Sequence, residues 1–250
     1  MTLPAAPDVP RHRFADVTVE QWRALAAKRM YFGHQSVGGN IVEGIAGVLA
    51  AHPEIPLRVV EASTLDSSNA PGLYHARIGQ NGDPASKTVA FDTIVNRGAP
   101  AVAMLKYCYV DVDGRSNPDS LFAAYERTVM SLRSRHHGLV IVHVTMPLTT
   151  IEGRREVFMA RLRGQATRRD LNVTRNRYNA LLRAKYAGKE PVFDLARLES
   201  TRADGSRAFF MRGADTVYVL APEITDDGGH LNAAGRRVAA EEFLALLAGL

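Results

Sequence analysis

Two short segments of the chain combine residue types that could perform nucleophilic chemistry. Residues 33–39 read GHQSVGG and place Ser36 in a glycine-rich turn between a predicted strand and a predicted helix. Residues 225–232 read TDDGGHLN and place Asp227 three residues before His230, just ahead of the last predicted helix. A serine, a histidine base and a carboxylate that orients the base are the groups that nucleophilic catalysis requires.

The serine segment allows several interpretations. A phosphate-binding P-loop requires Lys and Ser/Thr after its last glycine, and here Gly39 and Asn40 stand in those places. The nucleophile turn of α/β-hydrolases reads Gly-x-Ser-x-Gly, and His34 replaces its first glycine. Ser36 could also be a nucleophile at a helix N-terminus, where free N–H groups stabilise an oxyanion, or a residue that only caps the helix.

The segment with Asp227 and His230 is open to interpretation as well. With this spacing the carboxylate can hold the imidazole in the tautomer that a base needs. A metal site is another interpretation, but no second pair of ligands with metal spacing occurs in the sequence. The third interpretation is a turn that caps the last helix.

Taken together, the two segments resemble the SGNH/GDSL hydrolases. In that family the nucleophilic serine follows the first strand, and Asp-x-x-His lies just before the C-terminal helix. Ser36, Asp227 and His230 occupy these places, and residues 231–235 are similar to the family's ending after the histidine. The resemblance covers residues 29–247. The chain departs from it before the serine, where the usual Gly-Asp-Ser-Leu reads Gly-His-Gln-Ser-Val.

The resemblance also implies an oxyanion hole made by the serine N–H, a glycine after the second strand and an asparagine after the third. Gly79 is the candidate for the glycine, with Gly82 as the alternative. The family's Gly-x-Asn-Asp is absent after the third strand, where residues 106–111 read KYCYVD. Losing one donor costs about 3 kcal/mol of transition-state stabilisation, so we expect a substitute, and we assign that role to Asn81.

The elements that must position these residues alternate along the chain. Strand-like runs at residues 29–32, 57–62, 101–107, 139–144 and 192–195 are separated by helical patterns. This order predicts a three-layer α/β/α sandwich with a five-stranded parallel sheet, SGNH-hydrolase-like and flavodoxin-like. Residues 1–17 are expected to be a flexible lead-in, and residues 18–250 a single catalytic domain.

Ligands of such sheets bind beyond the carboxyl ends of the strands. The site should therefore be built from the connections at residues 33–40, 63–86, 106–117, 145–171 and 196–230. His143 lies inside a strand and is expected to be buried in the core or near the site. The lone Cys108 is expected to be a buried thiol rather than a nucleophile.

Composition restricts the partners. The formal net charge is +5, and the one cysteine excludes an intrachain disulfide. Arginines cluster at residues 154–169, but Phe158 is the only aromatic residue among them, which argues against single-stranded nucleic acid. We expect no cofactor, no metal and no membrane span. No signal peptide is visible, so a cytoplasmic location is expected unless an export signal was removed.

The resemblance implies hydrolysis of an acyl ester through an acyl-enzyme, with a short-acyl or carbohydrate O-acetyl ester as substrate. Two alternatives stay open. One is an O-acyltransferase that uses the same three residues. The other is a non-catalytic carbohydrate- or anion-binding module that retains the fold, an alternative supported by the missing asparagine.

Overall fold

The centre of the molecule is a parallel β-sheet. A computed structural model describes residues 8–250, except for the side chain of Arg154. Within these residues the main sheet has six strands in the order β2-β3-β1-β4-β5-β6, and all neighbours are parallel. The strands are β1 (Arg29–His34), β2 (Val59–Glu61), β3 (Gly72–Arg77), β4 (Val102–Leu105), β5 (Val140–Val144) and β6 (Val192–Phe193).

Helices cover both faces of this sheet. The described part of the chain contains α1 (Val19–Ala26), α2 (Ser36–Ala51), α3 (Pro84–Gly98), α4 (Pro118–Arg135), α5 (Arg154–Leu162), α6 (Arg168–Tyr186), α7 (Leu195–Ser200) and α8 (Ala233–Ala248). A separate antiparallel hairpin is formed by β7 (Phe209–Arg212) and β8 (Asp215–Tyr218). No helix in this part of the chain is both long and apolar enough to cross a bilayer.

Two hydrophobic cores hold the layers together. Successive side chains of a strand point to opposite faces, so Met30 and Phe32 of β1 join one core and Tyr31 joins the other. The first core contains residues of α1, α2, α7 and α8, and the second contains residues of α3, α4 and α6. The predicted three-layer α/β/α sandwich is therefore confirmed.

The predicted number of strands in the main sheet, five, is wrong by one. The additional strand is β3, which lies inside the connection 63–86 that the sequence presents as a loop. It pairs with β1 along its whole length, from Arg29 opposite Gly72 to His34 opposite Arg77. Residues 72–77 read GLYHAR and contain no β-branched residue, so the usual strand signal is missing.

Local signals at helix ends are mostly informative. Thr18 forms a capping box with Gln21, because its N–H donates to Gln21 Oε1 at 2.8 Å and its hydroxyl accepts from the Gln21 N–H at 3.3 Å. Of the lead-in, residues 1–7 lie outside the described residues. Val9 is buried, and a 3-10 turn over Phe14–Asp16 packs Phe14 against Trp22 at 5.2 Å between ring centroids.

Candidate active site

Ser36 is the first residue of α2, and a single residue separates it from the end of β1. Gln35 is the N-cap and has an extended backbone, so the chain turns from strand to helix within two residues. Gly38 permits this turn, since a Cβ at that position would lie 2.3 Å from the Cβ of His34. Ser36 therefore lies at the positive end of a helix of four turns.

The loop before α8 brings Asp227 and His230 together as a hydrogen-bonded pair. The Asp227 Oδ2 lies 2.6 Å from the ring Nδ1 of His230. The other carboxylate oxygen, Oδ1, accepts the backbone N–H groups of Gly229 at 2.9 Å and His230 at 2.8 Å. Since Nδ1 then carries the proton, Nε2 of His230 is unprotonated and can accept one.

The same hydrogen bonds keep the carboxylate ionised. Burial by itself raises the pKa of Asp227, but the backbone and ring hydrogen bonds from His230 and the N–H of Gly229 outweigh it and hold this pKa well below its ordinary value. The side chains are accessible, with 35% of His230 and 56% of Asp227 exposed. An ionised carboxylate behind an accessible imidazole has the geometry of an oriented base.

Helix α2 is joined directly to this loop. The Asn40 Oδ1 accepts the backbone N–H of Leu231 at 3.1 Å, and Asn40 lies one helical turn after Ser36. Residues four apart share one face of a helix, so Ser36 lies on the same face of α2 as Asn40. Farther along, Gly44 lets α2 approach α8, because a Cβ there would lie 2.3 Å from the carbonyl oxygen of Arg236.

Gly79 follows β3, the strand beside β1, and lies next to the serine turn. The amide of Gln35 donates to the carbonyl oxygens of Ile78 at 2.9 Å and Gly79 at 3.0 Å. The φ angle of Gly79 is 61°, and a Cβ would lie 2.5 Å from the backbone nitrogen of Lys87, so only glycine fits here.

Two backbone donors are available at this edge of the sheet. Within residues 8–250, no acceptor bonds to the N–H of Ser36 or to the N–H of Gly79. The N–H of Gly82, the alternative glycine, instead donates to Asp111 Oδ1 at 3.0 Å. Gly79 is therefore the better placed of the two glycines to supply a donor.

Asn81 is held by a buried ion pair. The Lys87 Nζ donates to Asn81 Oδ1 at 3.1 Å and to the two carboxylate oxygens of Asp111 at 2.5 and 2.6 Å. A lysine can only donate, so the amide oxygen must face Lys87 and the NH₂ group must face away from it. Asp111 also accepts the N–H of Cys108 at 2.7 Å, so the carboxylate that binds Lys87 is held in place within the segment after β4.

Tyr109 is a site residue that the sequence analysis missed. Its hydroxyl lies 3.4 Å from Nε2 of His230, and the two rings meet edge to face at 5.7 Å between centroids. Buried Arg175 fixes the backbone here by donating to the Tyr109 carbonyl from Nη2 at 2.8 Å. Burial and the nearby Cys108 and Asp227 raise the pKa of Tyr109, so its hydroxyl is a donor at neutral pH. The sequence signal that could have identified Tyr109 was its position in the connection 106–117, which is one of those expected to build the site.

His34 is one of the two residues that depart from the serine motif of the family that the sequence resembles, and its ring has structural partners. The ring of His34 is buried, with Nδ1 2.9 Å from the Gln35 carbonyl and Nε2 3.1 Å from Nδ1 of His75. Burial, with smaller effects from the nearby cations Lys106 and Arg77, lowers the pKa of His34 to about 3. His34 is therefore neutral, and its ring supports the serine turn through the contact with the Gln35 carbonyl.

Two other sequence candidates, His143 and Cys108, have buried side chains. His143 is buried between Tyr125, at 2.8 Å from its Nδ1, and Glu190, at 2.7 Å from its Nε2, and stacks on Tyr186. Cys108 is a buried thiol. Among the residues that the structure describes, no group of three or more His, Cys, Asp or Glu is placed to hold a metal ion.

Solved structures share this architecture. A lipase/acylhydrolase from Enterococcus faecalis has a TM-score of 0.54 and 11% identity, over 89% of this chain and 96% of that chain. A protein from Bacteroides fragilis assigned as an acylhydrolase has a TM-score of 0.52 and 16% identity, over 90% and 91%. An acetyl xylan esterase, AlAXEase, has a TM-score of 0.51 and 16% identity, over 86% and 97%.

These likenesses concern the fold. No family model matches the chain, and no curated protein matches it in sequence. The chain shares the three-layer α/β/α fold of these three proteins, two of which are acylhydrolases and one an acetyl xylan esterase.

Proposed function

We propose that the protein is a serine hydrolase that cleaves an acyl ester, with Ser36 as nucleophile, His230 as base and Asp227 as the residue that orients the base. The observation that carries the proposal is the Asp227–His230 pair, 2.6 Å apart, on a loop bonded to the helix that Ser36 begins. The esterase and acylhydrolase neighbours agree with this class of reaction.

The reaction proceeds through an acyl-enzyme. Ser36 Oγ attacks the acyl carbon and gives its proton to Nε2 of His230, while Asp227 stabilises the imidazolium. The tetrahedral intermediate collapses as His230 returns the proton to the departing alcohol. A water molecule then attacks the acyl-enzyme, again with His230 as base, and releases the acid and free Ser36.

Three donors stabilise the negative oxygen of the intermediate. The backbone N–H groups of Ser36 and Gly79 have no other acceptor in the described residues, and the NH₂ group of Asn81 is turned away from Lys87. Charge develops on this oxygen only in the intermediate and its flanking transition states, so these donors lower the barrier rather than strengthen ground-state binding.

The acyl group is proposed to be short, as in an O-acetyl ester, and the alcohol could be a sugar. One structural neighbour is an acetyl xylan esterase, which makes acetylated sugars the first substrates to compare with nitrophenyl esters of increasing acyl length. An acyltransferase would form the same acyl-enzyme but pass the acyl group to an alcohol instead of water. It would be recognised by a new ester product that forms only when an alcohol is added.

The test is a pair of serine variants assayed on nitrophenyl acetate. Ser36→Ala should lose turnover by at least about 10³-fold, because the nucleophile is removed. Ser134→Ala, an exposed serine on α4, is the matched control and should keep the wild-type rate. Retention of more than a few per cent of activity in Ser36→Ala would show that another residue is the nucleophile.

A further inference from the structure

One part of the arginine-rich segment projects from the loop that carries His230. The excursion over residues 151–167, which contains α5, begins after Thr150, whose N–H donates to the Gly228 carbonyl at 3.0 Å. It returns at Arg168, whose Nη1 donates to the Thr150 hydroxyl at 3.2 Å and whose backbone N–H donates to the carboxylate of Glu152. Both ends of the excursion therefore stand beside the candidate active site.

Helix α5 exposes apolar side chains in spite of this position. None of its described side chains is buried. Phe158 is 61% exposed and Leu162 is 67% exposed, and the two lie four residues apart on the same face. Val157 and Ala160, on the other side of the helix, are half-buried against the protein. The apolar pair thus points outward.

Arginines flank the apolar pair. Arg155 and Arg161 each lie three residues from Phe158, on either side of it along the helix, and both are exposed. In the described structure neither guanidinium forms a hydrogen bond or salt bridge. Two nearby acids are engaged by backbone groups, since Glu156 accepts the Gly153 N–H at 3.1 Å and Glu152 accepts the N–H groups of residues 168 and 169. A third acid, Asp170, accepts hydrogen bonds from the Thr167 hydroxyl and from Arg212, and the bond from Thr167, with a smaller effect from Arg161, lowers its pKa. The outward face of α5 is therefore apolar at its centre and cationic at its rim.

We propose that this face docks on an anionic lipid bilayer. A phenylalanine and a leucine flanked by arginines on one face are the features of a helix that lies in the bilayer interface. Each cation near such a surface adds to binding, and the chain as a whole carries a net charge of +5. A second copy of the chain fits this face less well, since it would bring like-charged arginines together.

Docking through α5 would bring the His230 loop to the membrane surface, because the excursion stands on that loop. The ester that the site reaches would then be one presented at the bilayer interface. The docking itself does not depend on the chemistry of Ser36, so the two proposals can fail separately.

The experiment measures co-sedimentation with vesicles of phosphatidylglycerol and, separately, of phosphatidylcholine. The wild-type protein should bind the anionic vesicles at least about tenfold more tightly than the neutral ones, and added salt should weaken this binding. The double variant Phe158→Asp/Leu162→Asp should lose at least about tenfold in affinity for anionic vesicles. Arg155→Glu/Arg161→Glu should have a similar effect.

Two controls separate docking from folding and from catalysis. Met130→Asp replaces an apolar residue of α4 that is 64% exposed, and it should bind like the wild type. Ser36→Ala should also bind like the wild type, although it is inactive. The Phe158→Asp/Leu162→Asp variant should keep its melting temperature and its turnover of a soluble ester.

The proposal is overturned if the wild-type protein does not sediment with anionic vesicles, or if the Phe158→Asp/Leu162→Asp variant sediments as the wild type does. It is also overturned if light scattering shows a wild-type dimer that this variant dissociates, because the face would then join two copies of the chain.

Discussion

The assignment of Asn81 as an oxyanion donor can be tested with two substitutions at one position. The Lys87 Nζ lies 3.1 Å from Asn81 Oδ1, so the amide oxygen faces Lys87 and the NH₂ group is left to serve as the proposed donor. Asn81→Ala removes both groups. Asn81→Asp keeps an oxygen toward Lys87 but replaces the NH₂ group by a second oxygen, which cannot donate.

The expected magnitude follows from the role of one donor. Removal of a single oxyanion donor lowers kcat by about 10²- to 10³-fold, or about 3–4 kcal/mol. Asn81→Ala should fall in that range, and Asn81→Asp should lose at least as much because a carboxylate repels the oxyanion. KM should change little, since the hydrogen bond forms mainly in the transition state.

The assay combines steady-state kinetics on nitrophenyl acetate with melting temperatures of the same preparations. If Asn81 only supports its turn, Asn81→Ala would lower the melting temperature and leave kcat within about threefold of the wild type. A stable and fully active Asn81→Asp variant would refute the reasoning outright, because it retains the contact with Lys87 and lacks the donor.

Three further predictions concern other groups of the site and its support. Asp227→Asn should reduce kcat/KM less than His230→Ala does, because it removes the group that orients the base but leaves the base in place; an equal or larger loss in Asp227→Asn would contradict these roles. Gly79→Ala should lower both melting temperature and kcat, because the added Cβ would lie 2.5 Å from the Lys87 nitrogen at a φ of 61°; unchanged values would show that the loop is elsewhere in solution. Burial raises the pKa of Glu199 from 4.5 to about 8, so the protonated carboxyl contributes its full stability below about pH 4.5, and this contribution is lost as the pH rises through about 8. The melting temperature of Glu199→Gln should therefore exceed that of the wild type at pH 8.5 but not at pH 4.5. A difference in melting temperature that does not depend on pH would contradict this.

Much of the fold could be predicted because its signals are local. The apolar strands and helices give the alternation of a three-layer sandwich, and the capping box at Thr18 marks a helix start from sequence alone. Strand β3 could not be predicted in this way. Its place in the sheet is set by pairing with β1 on one side and β2 on the other, which are contacts between distant residues.

The same difference between local and long-range contacts applies to the candidate site. Asp227 and His230 are three residues apart, so their pairing is a local event that the sequence shows. The approach of Tyr109 to His230, over 121 residues, depends on the sheet and on the anchoring of the Tyr109 carbonyl by Arg175. The ion pair of Lys87 and Asp111 depends likewise on helix α3 and the segment after β4, which meet only in the folded chain.

The departure at Gln35 has a similar explanation. The sequence alone does not indicate a role for the side-chain amide of Gln35, because its partners are carbonyl groups more than 40 residues away along the chain. In the structure it donates to Ile78 and Gly79 and so holds the glycine loop against the serine turn. The residue that breaks the family's motif thus supports the loop that supplies the proposed oxyanion donor.

The most direct test of the central claim is labelling by a fluorophosphonate, which reacts with an activated serine, followed by mapping of the adduct by mass spectrometry. The account predicts one adduct on Ser36, which is lost in His230→Ala because the base that activates the serine is removed. The absence of any adduct in the folded wild-type protein, or an adduct on another residue, would contradict the account.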